Sequence, residues 1–463
     1  MLDTSTPGTP DWWLNRLIAK QLNRLPRLER LHRYAVGDHD LPEGDVQVRE
    51  AFARFQRRAR SNYTGLVAES VVERMRISGF RAGTGAGATD DADAWRIWQA
   101  NRLDADMPLV IRAMCYMGEA YMMVGPPSPD RGGMPLITPE DPRQMVVELD
   151  ALDKRKVIAA LKVWPDDVRQ EWRAVLILPT GYHAYTARRE DGEYQAAAFA
   201  PDRWVPAGVL PNPIGKVPVV RFANRPDLYG NTTAEHEDVM DIQDRINGMI
   251  LDRLVTSKMQ AYRQRWIKGI DLDDEDGGGS FRPGADLVWV IEEEEAEFGE
   301  FQQADLRQML EAVKDDVRDM AAISRTPPHY LLSEFVNAGG DAFSQSETGH
   351  VAKVTERMTQ AGESAEDVIA FGFAWLNDPR ANALDAEVIW SDPQYRSLAE
   401  KADAAIKLSA AGIPWRTVVM SVLGYSPQEA DRMESERASD ALTALLTTPQ
   451  TPALPAGGGG SDQ

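Results

Sequence analysis

An α+β fold is what this sequence predicts, and three patterns carry the prediction. Two long amphipathic helical stretches lie in the second half, a β-like insert sits between them, and a series of short strand patterns fills the first half. In chain order, WWLNRLIAKQLNRLPRLERLHRYAVGD at 12–38 sets Trp12, Leu14, Leu17 and Ile18 on one apolar stripe, and Pro26 is expected to divide this helix. A second helix is expected from about Glu50 to Arg60. The stretch NYTGLVAESVVERMRISGF at 62–80 then offers Leu66, Val67, Val71, Val72 and Met75 as a buried helix face. GTGAGATDD at 83–91 breaks the pattern as a surface loop. Helices at 93–101 and 107–117 lead into strands at 120–124, 145–149, 157–163, 174–178 and 181–186, parted by Pro, Gly and Asp turns, with a further strand at 217–222.

The second half carries the longer elements. From 234 to about 261, Val239, Ile242, Ile246, Met249, Ile250 and Leu254 recur at spacings of three and four, which predicts a helix of roughly 40 Å with one apolar face, capped by Thr232 or Thr233. From Asp305 to about Ser324, Leu306, Met309, Leu310, Val313, Val317, Met320 and Ala321 repeat the pattern. Asp305 with Gln308 makes a capping-box-like start, and Thr326, Pro327 and Pro328 make the stop. Between them FRPGADLVWVI holds a turn at Pro283 and Gly284 and a β-branched and aromatic run, with Phe281, Leu287 and Trp289 as its large apolar residues. The insert is too short for a core of its own, and other copies of the chain are the simplest source of neighbours for such a hairpin on helical legs. Asn337–Asp341 reads as loop, Phe343 onward as helix to about Trp375. Segments 397–411, 414–423 and 427–445 form a small helical unit, and TTPQTPALPAGGGGSDQ is a low-complexity tail.

Composition agrees with several globular domains: 463 residues, 43% hydrophobic and 27% charged. The one cysteine, Cys115, precludes an intramolecular disulfide, and its apolar surroundings predict a buried, inert thiol in a reducing compartment. Met1–Pro10 is polar and Pro-rich, so no signal peptide is expected, and the apolar runs fall short of the ~20 residues that span a bilayer. The net charge of −21 argues against a protein that grips DNA, and acidic charge of this size also keeps a protein soluble. A basic cluster, Lys258, Arg263, Arg265 and Lys268, is followed by Asp271, Asp273, Asp274, Glu275 and Asp276, and a second acidic run spans 292–295. Taken singly these are solvated helix ends and turns; in a ring they become stacked circles of opposite sign.

TPPHYL at 326–331, NAGGDAFSQSETGHVAKV at 337–354 and AAGIPWRTVVMSVLGYSPQEADRMESER at 410–437, in this order behind the two long helices, resemble the portal proteins of tailed bacteriophages, specifically the siphophage branch common in phages of actinobacteria. Gly339 and Gly340 depart from the Ser and Gly that such proteins often carry there. The resemblance covers nearly the whole chain. It implies a portal fold: an α+β wing (1–233 and 345–395), a two-helix stem (234–262 and 303–326), a small β-containing clip (263–302), a tunnel loop region (327–344), a helical crown (396–446) and a disordered tail (447–463). It also implies a ring, as a dodecamer at one capsid vertex, that passes double-stranded DNA without sequence preference. Its partners would be scaffolding and major capsid proteins, the terminase large subunit at the clip, and then head-tail adaptors and the tail, in the virion after assembly in the host cytoplasm. Asn337, Phe343, Ser344 and Gln345 become the candidates for touching DNA. Val239, Ile242, Ile246, Leu310, Val313 and Val317 would pack the stem, and Asp241, Asp244, Asp252 and Lys258 would face the channel or the outer surface.

Catalytic constellations are nearly absent from the sequence. There is no nucleophile elbow, and the lone cysteine with His32, His39, His183, His236, His329 and His350 offers no zinc spacing. Gly215-Lys216 is followed by Val217, and the glycines at 83–87 lack the Lys and Ser or Thr of a phosphate loop. No metal or cofactor is expected. The pairs Asp166 with Asp167 and Glu140 with Asp141 leave a carboxylate-dependent hydrolase as one alternative; a self-associating virion or cytoplasmic adaptor is the other.

Overall fold

Capping and an apolar stripe build the first helix, α1 (Pro10–Ala35): the Thr9 hydroxyl accepts from the Trp12 amide, and Leu14, Leu17, Ile18, Leu25, Leu28, Leu31 and Tyr34 are buried along one side. The computed structural model describes residues 6–42, 56–81, 91–190, 203–261, 265–268, 297–300, 305–332, 340–394, 398–425 and 427–447. Pro26 does not divide α1, contrary to expectation. It is exposed, and the buried stripe continues on both sides of it, so packing outweighs the roughly 3 kcal/mol that an internal proline costs.

Then come α2 (Tyr63–Val72), β1 (Ile77–Arg81), α3 (Ala92–Ala100) and α4 (Leu103–Met117). Of the expected helix at 50–60, residues 56–59 are helical and the earlier part lies outside the described residues, as does 83–90 of the glycine-rich stretch. Val67, Val71, Val72 and Met75 are buried, whereas Leu66 is 42% exposed, because it lies off the face that α4 covers. Gly65 is a close-approach position: a Cβ there would stand 2.6 Å from the Ala35 carbonyl and 2.4 Å from the Asn62 amide nitrogen.

Strands β2 (Glu119–Ser128), β3 (Met134–Glu140) and β9 (Val219–Ala223) make a three-stranded antiparallel sheet in the order β3-β2-β9. Strands β4 (Met145–Leu149), β5 (Val157–Asp166), β6 (Glu171–Leu178), β7 (Gly181–Arg188) and β8 (Val205–Pro211) form a five-stranded meander. Helix α1 covers one face of the meander, Leu14, Leu17, Ile18 and Leu25 meeting Val146, Leu161, Val163, Trp172 and Leu176. Val147, Ala160 and Ile177 point the other way, against Tyr121, Val217 and Val219. That alternation is the period-2 pattern of a sheet covered on both faces.

In the second half, α5 (Met240–Ala261) and α6 (Leu306–Ser324) are separated by a short antiparallel strand pair, β10 (Arg265–Lys268) with β11 (Glu297–Glu300). The 36-residue helix α7 (Gly340–Trp375) crosses the largest core, where Val354, Met358, Ala361, Val368 and Phe373 join residues of α2, α3, α4 and β2. Strand β12 (Glu387–Trp390) pairs with β1, and α8 (Leu398–Ala410), a short helical segment at Trp415–Leu423 and α9 (Pro427–Thr447) follow, in keeping with the three helical segments expected. Cys115 is fully buried. Burial pushes its thiol well up, as an inert cysteine requires.

Candidate functional site

The helix pair α5 and α6 is built by the periodicity that announced it. Val239, Ile246 and Val317 are completely buried in one cluster with Met320, Ala321, Leu331 and Val67, and Ile242 and Val313 pack half-buried against it. Leu310, expected to pack the stem within or between subunits, is 39% exposed in the single chain and lies outside this cluster. Arg245 bridges the helices at the surface, 2.7 Å from Asp316 and 3.7 Å from Asp319. The Asp305 carboxylate caps α6 by accepting from the Arg307 amide at 2.9 Å, and the capping-box role of Gln308 reduces to a backbone bond. Neither Thr232 nor Thr233 caps α5. The Thr232 carbonyl accepts from Arg27, the Thr233 carbonyl accepts from Asn224, and a 3-10 turn at Glu237–Val239 starts the helix instead.

What anchors α5 to the body is a buried polar seam on its inner face. Gln243 and Asn247 are 0% and 1% exposed. The Gln243 side-chain carbonyl accepts from the Tyr63 and Thr64 amides at 2.9 and 3.2 Å, closing the open N-terminus of α2 together with the Asn62 cap. Asn247 accepts from the Ser61 amide and donates to His39 Nδ1, so His39 carries its proton on Nε2, which donates to the Tyr34 carbonyl at 3.1 Å. Tyr34 in turn donates to Asp244. Asp244 therefore faces the body of the chain, contrary to the expectation that it is left on an outward face, while Asp241, Asp252 and Lys258 are exposed in the single chain. His236, just before α5, bonds the Leu31 carbonyl at 3.0 Å; burial first, partly offset by that bond, pushes its imidazole down to about 4.

Charge pairs lock the same region from the other side. Glu235 accepts from Arg357 of α7 at 2.6 Å and stands 3.5 Å from Lys353, all three at most 6% exposed. Burial disfavours the Glu235 carboxylate, but the two cations outweigh it and hold it below the usual range. A second buried acid, Glu119 on β2, pairs with Arg24 of α1 and with Arg221 of β9.

Other expected site residues fall unevenly. Asn337, Arg263, Phe281, Leu287 and Trp289 lie outside the described residues. Phe343, Ser344 and Gln345 sit in the first turns of α7, which begins at Gly340, and Arg265 and Lys268 lie on β10, Lys268 being 3.7 Å from Glu297. The acidic pairs do not converge on a cleft: Asp166 accepts from turn amides, Asp167 pairs with Arg189, Glu140 with Lys162 and Asp141 with Arg143. Among the described residues there is no cluster of His, Cys, Asp or Glu fit to hold a metal ion, and no helix is long and apolar enough to cross a membrane.

Residues 14–441 match the family model described as phage portal protein, SPP1 Gp6-like. The chain belongs to this phage portal protein family. Portal proteins of Mycobacterium phages D29 and L5 are each 29% identical to this portal chain over 412 residues, spanning 84% of it and 81% of their own length. A chain in the neck of an empty GTA particle, computed with C6 symmetry, is similar at a TM-score of 0.42 and 12% identity, over 82% of this portal chain and 92% of that one.

The residues that seat the helix pair escaped the sequence reading. Gln243 and Asn247 stood in plain view, one turn apart and within the apolar stripe of α5, and a polar residue inside an apolar stripe is the signal of a buried hydrogen-bonded group. The partners of Glu235, at positions 353 and 357, carried no comparable signal because they are more than a hundred residues away.

Proposed function

We propose that this portal chain assembles as a ring, a dodecamer by family resemblance, at one vertex of the capsid, and that α5 and α6 form the stem around the channel through which double-stranded DNA enters and leaves. Residues 263–302 are the clip and take the terminase large subunit during packaging, then a head-tail adaptor. The regions 1–233 and 345–395 are the wing, 396–446 the crown, and scaffolding and major capsid proteins are the partners during assembly. The role is mechanical, with no turnover assigned to any residue.

The observation that carries this reading is the pair of helices packed on one another and separated by the β10–β11 strand pair, within a chain whose family match is nearly end to end. Two helices anchored at one end to a large body, with a strand pair at the other, make a protruding leg that repeated copies can arrange around an axis. A net charge of −21 keeps such a passage from gripping DNA. Exposed Lys258 and Lys268 supply local attraction near the clip, and Asn337, Phe343, Ser344 and Gln345 are the proposed contacts to DNA on the channel side.

Replacing 269–296 by a short turn between β10 and β11 tests the clip assignment. The wing should keep its unfolding midpoint while DNA packaging into the capsid is lost. Packaging at the wild-type level by that variant would overturn the assignment.

A further inference from the structure

The C-terminal helices bury little within one chain. Among the described residues of 398–447 the buried ones are Val418, Val419 and Ala430, and no described core cluster includes a residue beyond Trp390. Helix α8 shows what is left over. One of its sides, with Ala404, Ala405 and Leu408, is half-buried, and the helix packs on the segment Trp415–Leu423. Another side carries Leu398, Ala402, Ile406 and Ala410 at a spacing of four, all exposed, Leu398 at 80% and Ile406 at 70%. Residues four apart form the ridge that one helix sets into the groove of another, and no polar residue interrupts this one. A helix of 13 residues is marginal in water on propensity alone, and burial of an apolar face is what stabilises it.

We propose that the ridge Leu398, Ala402, Ile406 and Ala410 is a contact between copies of this chain, seated on the 398–447 helices of the adjacent copy. This rests on the ring reading above. In a ring one rotation carries each copy onto the next, so a unit at a given height and radius has the same unit of the adjacent copy as its neighbour. Charge favours the same occupant. The chain as a whole carries −21 and its copies repel, but on α8 Glu400 and Asp403 are matched by Lys401 and Lys407, with Lys407 donating to Asp403 at 2.6 Å. Helix α9 is the acidic side of the unit: Glu429, Asp431, Glu434, Glu436 and Asp440 stand against Arg432 and Arg437. The α9 of an adjacent copy therefore attracts the two lysines that flank the ridge.

Zero-length carbodiimide coupling of lysines to carboxylates in the assembled full-length protein tests the contact. The crosslinked dimer band is cut from a denaturing gel and its peptides are mapped by mass spectrometry. Lys401 and Lys407 should be joined there to carboxylates within 398–447. Links from these lysines found solely in the monomer band, or running to other regions or to another protein, overturn the proposal. Negative-stain imaging of the same sample separates the two readings: intact rings with such links sink the ridge alone, and the absence of rings sinks the ring reading and the ridge with it. Ile406→Asp should raise the concentration needed for half-assembly by about tenfold or more while the wing keeps its unfolding midpoint, because the ridge touches no core of the single chain. Assembly of that variant at the wild-type concentration also overturns the contact.

Discussion

Replacing Glu119 by Gln removes one negative charge from a place where two arginines from distant parts of the chain converge. Arg24 on α1 and Arg221 on β9 are 19% and 13% exposed, and Glu119 itself 8%. Burial opposes ionisation of Glu119, but the Arg24 and Arg221 charges and the hydrogen bonds from Arg221 and Tyr121 outweigh it, holding the carboxyl down at about 2 against an ordinary 4.5. By linkage, that depression is worth about 3 kcal/mol of folding stability at neutral pH. The sign follows from the direction: the contribution is complete above about 4.5 and fades as pH falls toward about 2. Glu119→Gln should cost more than a lost attraction, because two guanidinium groups are left in a mostly buried site. Breaking a buried pair of this kind costs about 3–5 kcal/mol. Urea unfolding at pH 7 should show a lower midpoint with an unchanged slope. The gap between variant and wild type should narrow as pH approaches 2, where the native carboxyl takes up its proton. A loss under about 1 kcal/mol at pH 7, or a gap that ignores pH, would refute the reasoning.

Two further substitutions probe the helix pair and the first helix. Ile246→Ala empties the centre of the cluster shared by α5 and α6, and a loss of about 2–5 kcal/mol is expected in equilibrium unfolding; a cost under 1 would place that cluster outside the stabilising core. Pro26→Ala restores an N–H at an exposed position of an unbroken helix and should stabilise the chain by about 1–3 kcal/mol, seen as a raised unfolding midpoint; destabilisation would mean that the ring of Pro26 is part of the packing.

The sequence made legible whatever depends on local periodicity. Strand β4 spans the expected residues, both long helices lie close to their expected bounds, and Val239, Ile246 and Val317 meet in one cluster because their spacing had already put them on matching faces. Strands β3 and β8 were missed for a reason of the same kind: each contains two prolines, which read as turns but are tolerated on the sheet edges that these strands form. Pro26 misled in the opposite direction, since a stripe of nine buried residues holds a helix together through a residue that would end an isolated one. Long-range pairing was illegible throughout. That Glu119 sits between Arg24 and Arg221, or that His350 reaches both Ser70 and Arg325, depends on which elements meet in space, and local pattern is silent about that.

Ring formation by the stem is decided by particle mass and symmetry, measured on the purified chain by light scattering and negative-stain imaging over a concentration series. The account predicts a closed ring with a central opening, formed by the chain alone or once capsid and scaffolding proteins are coexpressed. A particle that stays a monomer or a dimer under both conditions would contradict it and leave an adaptor as the better description.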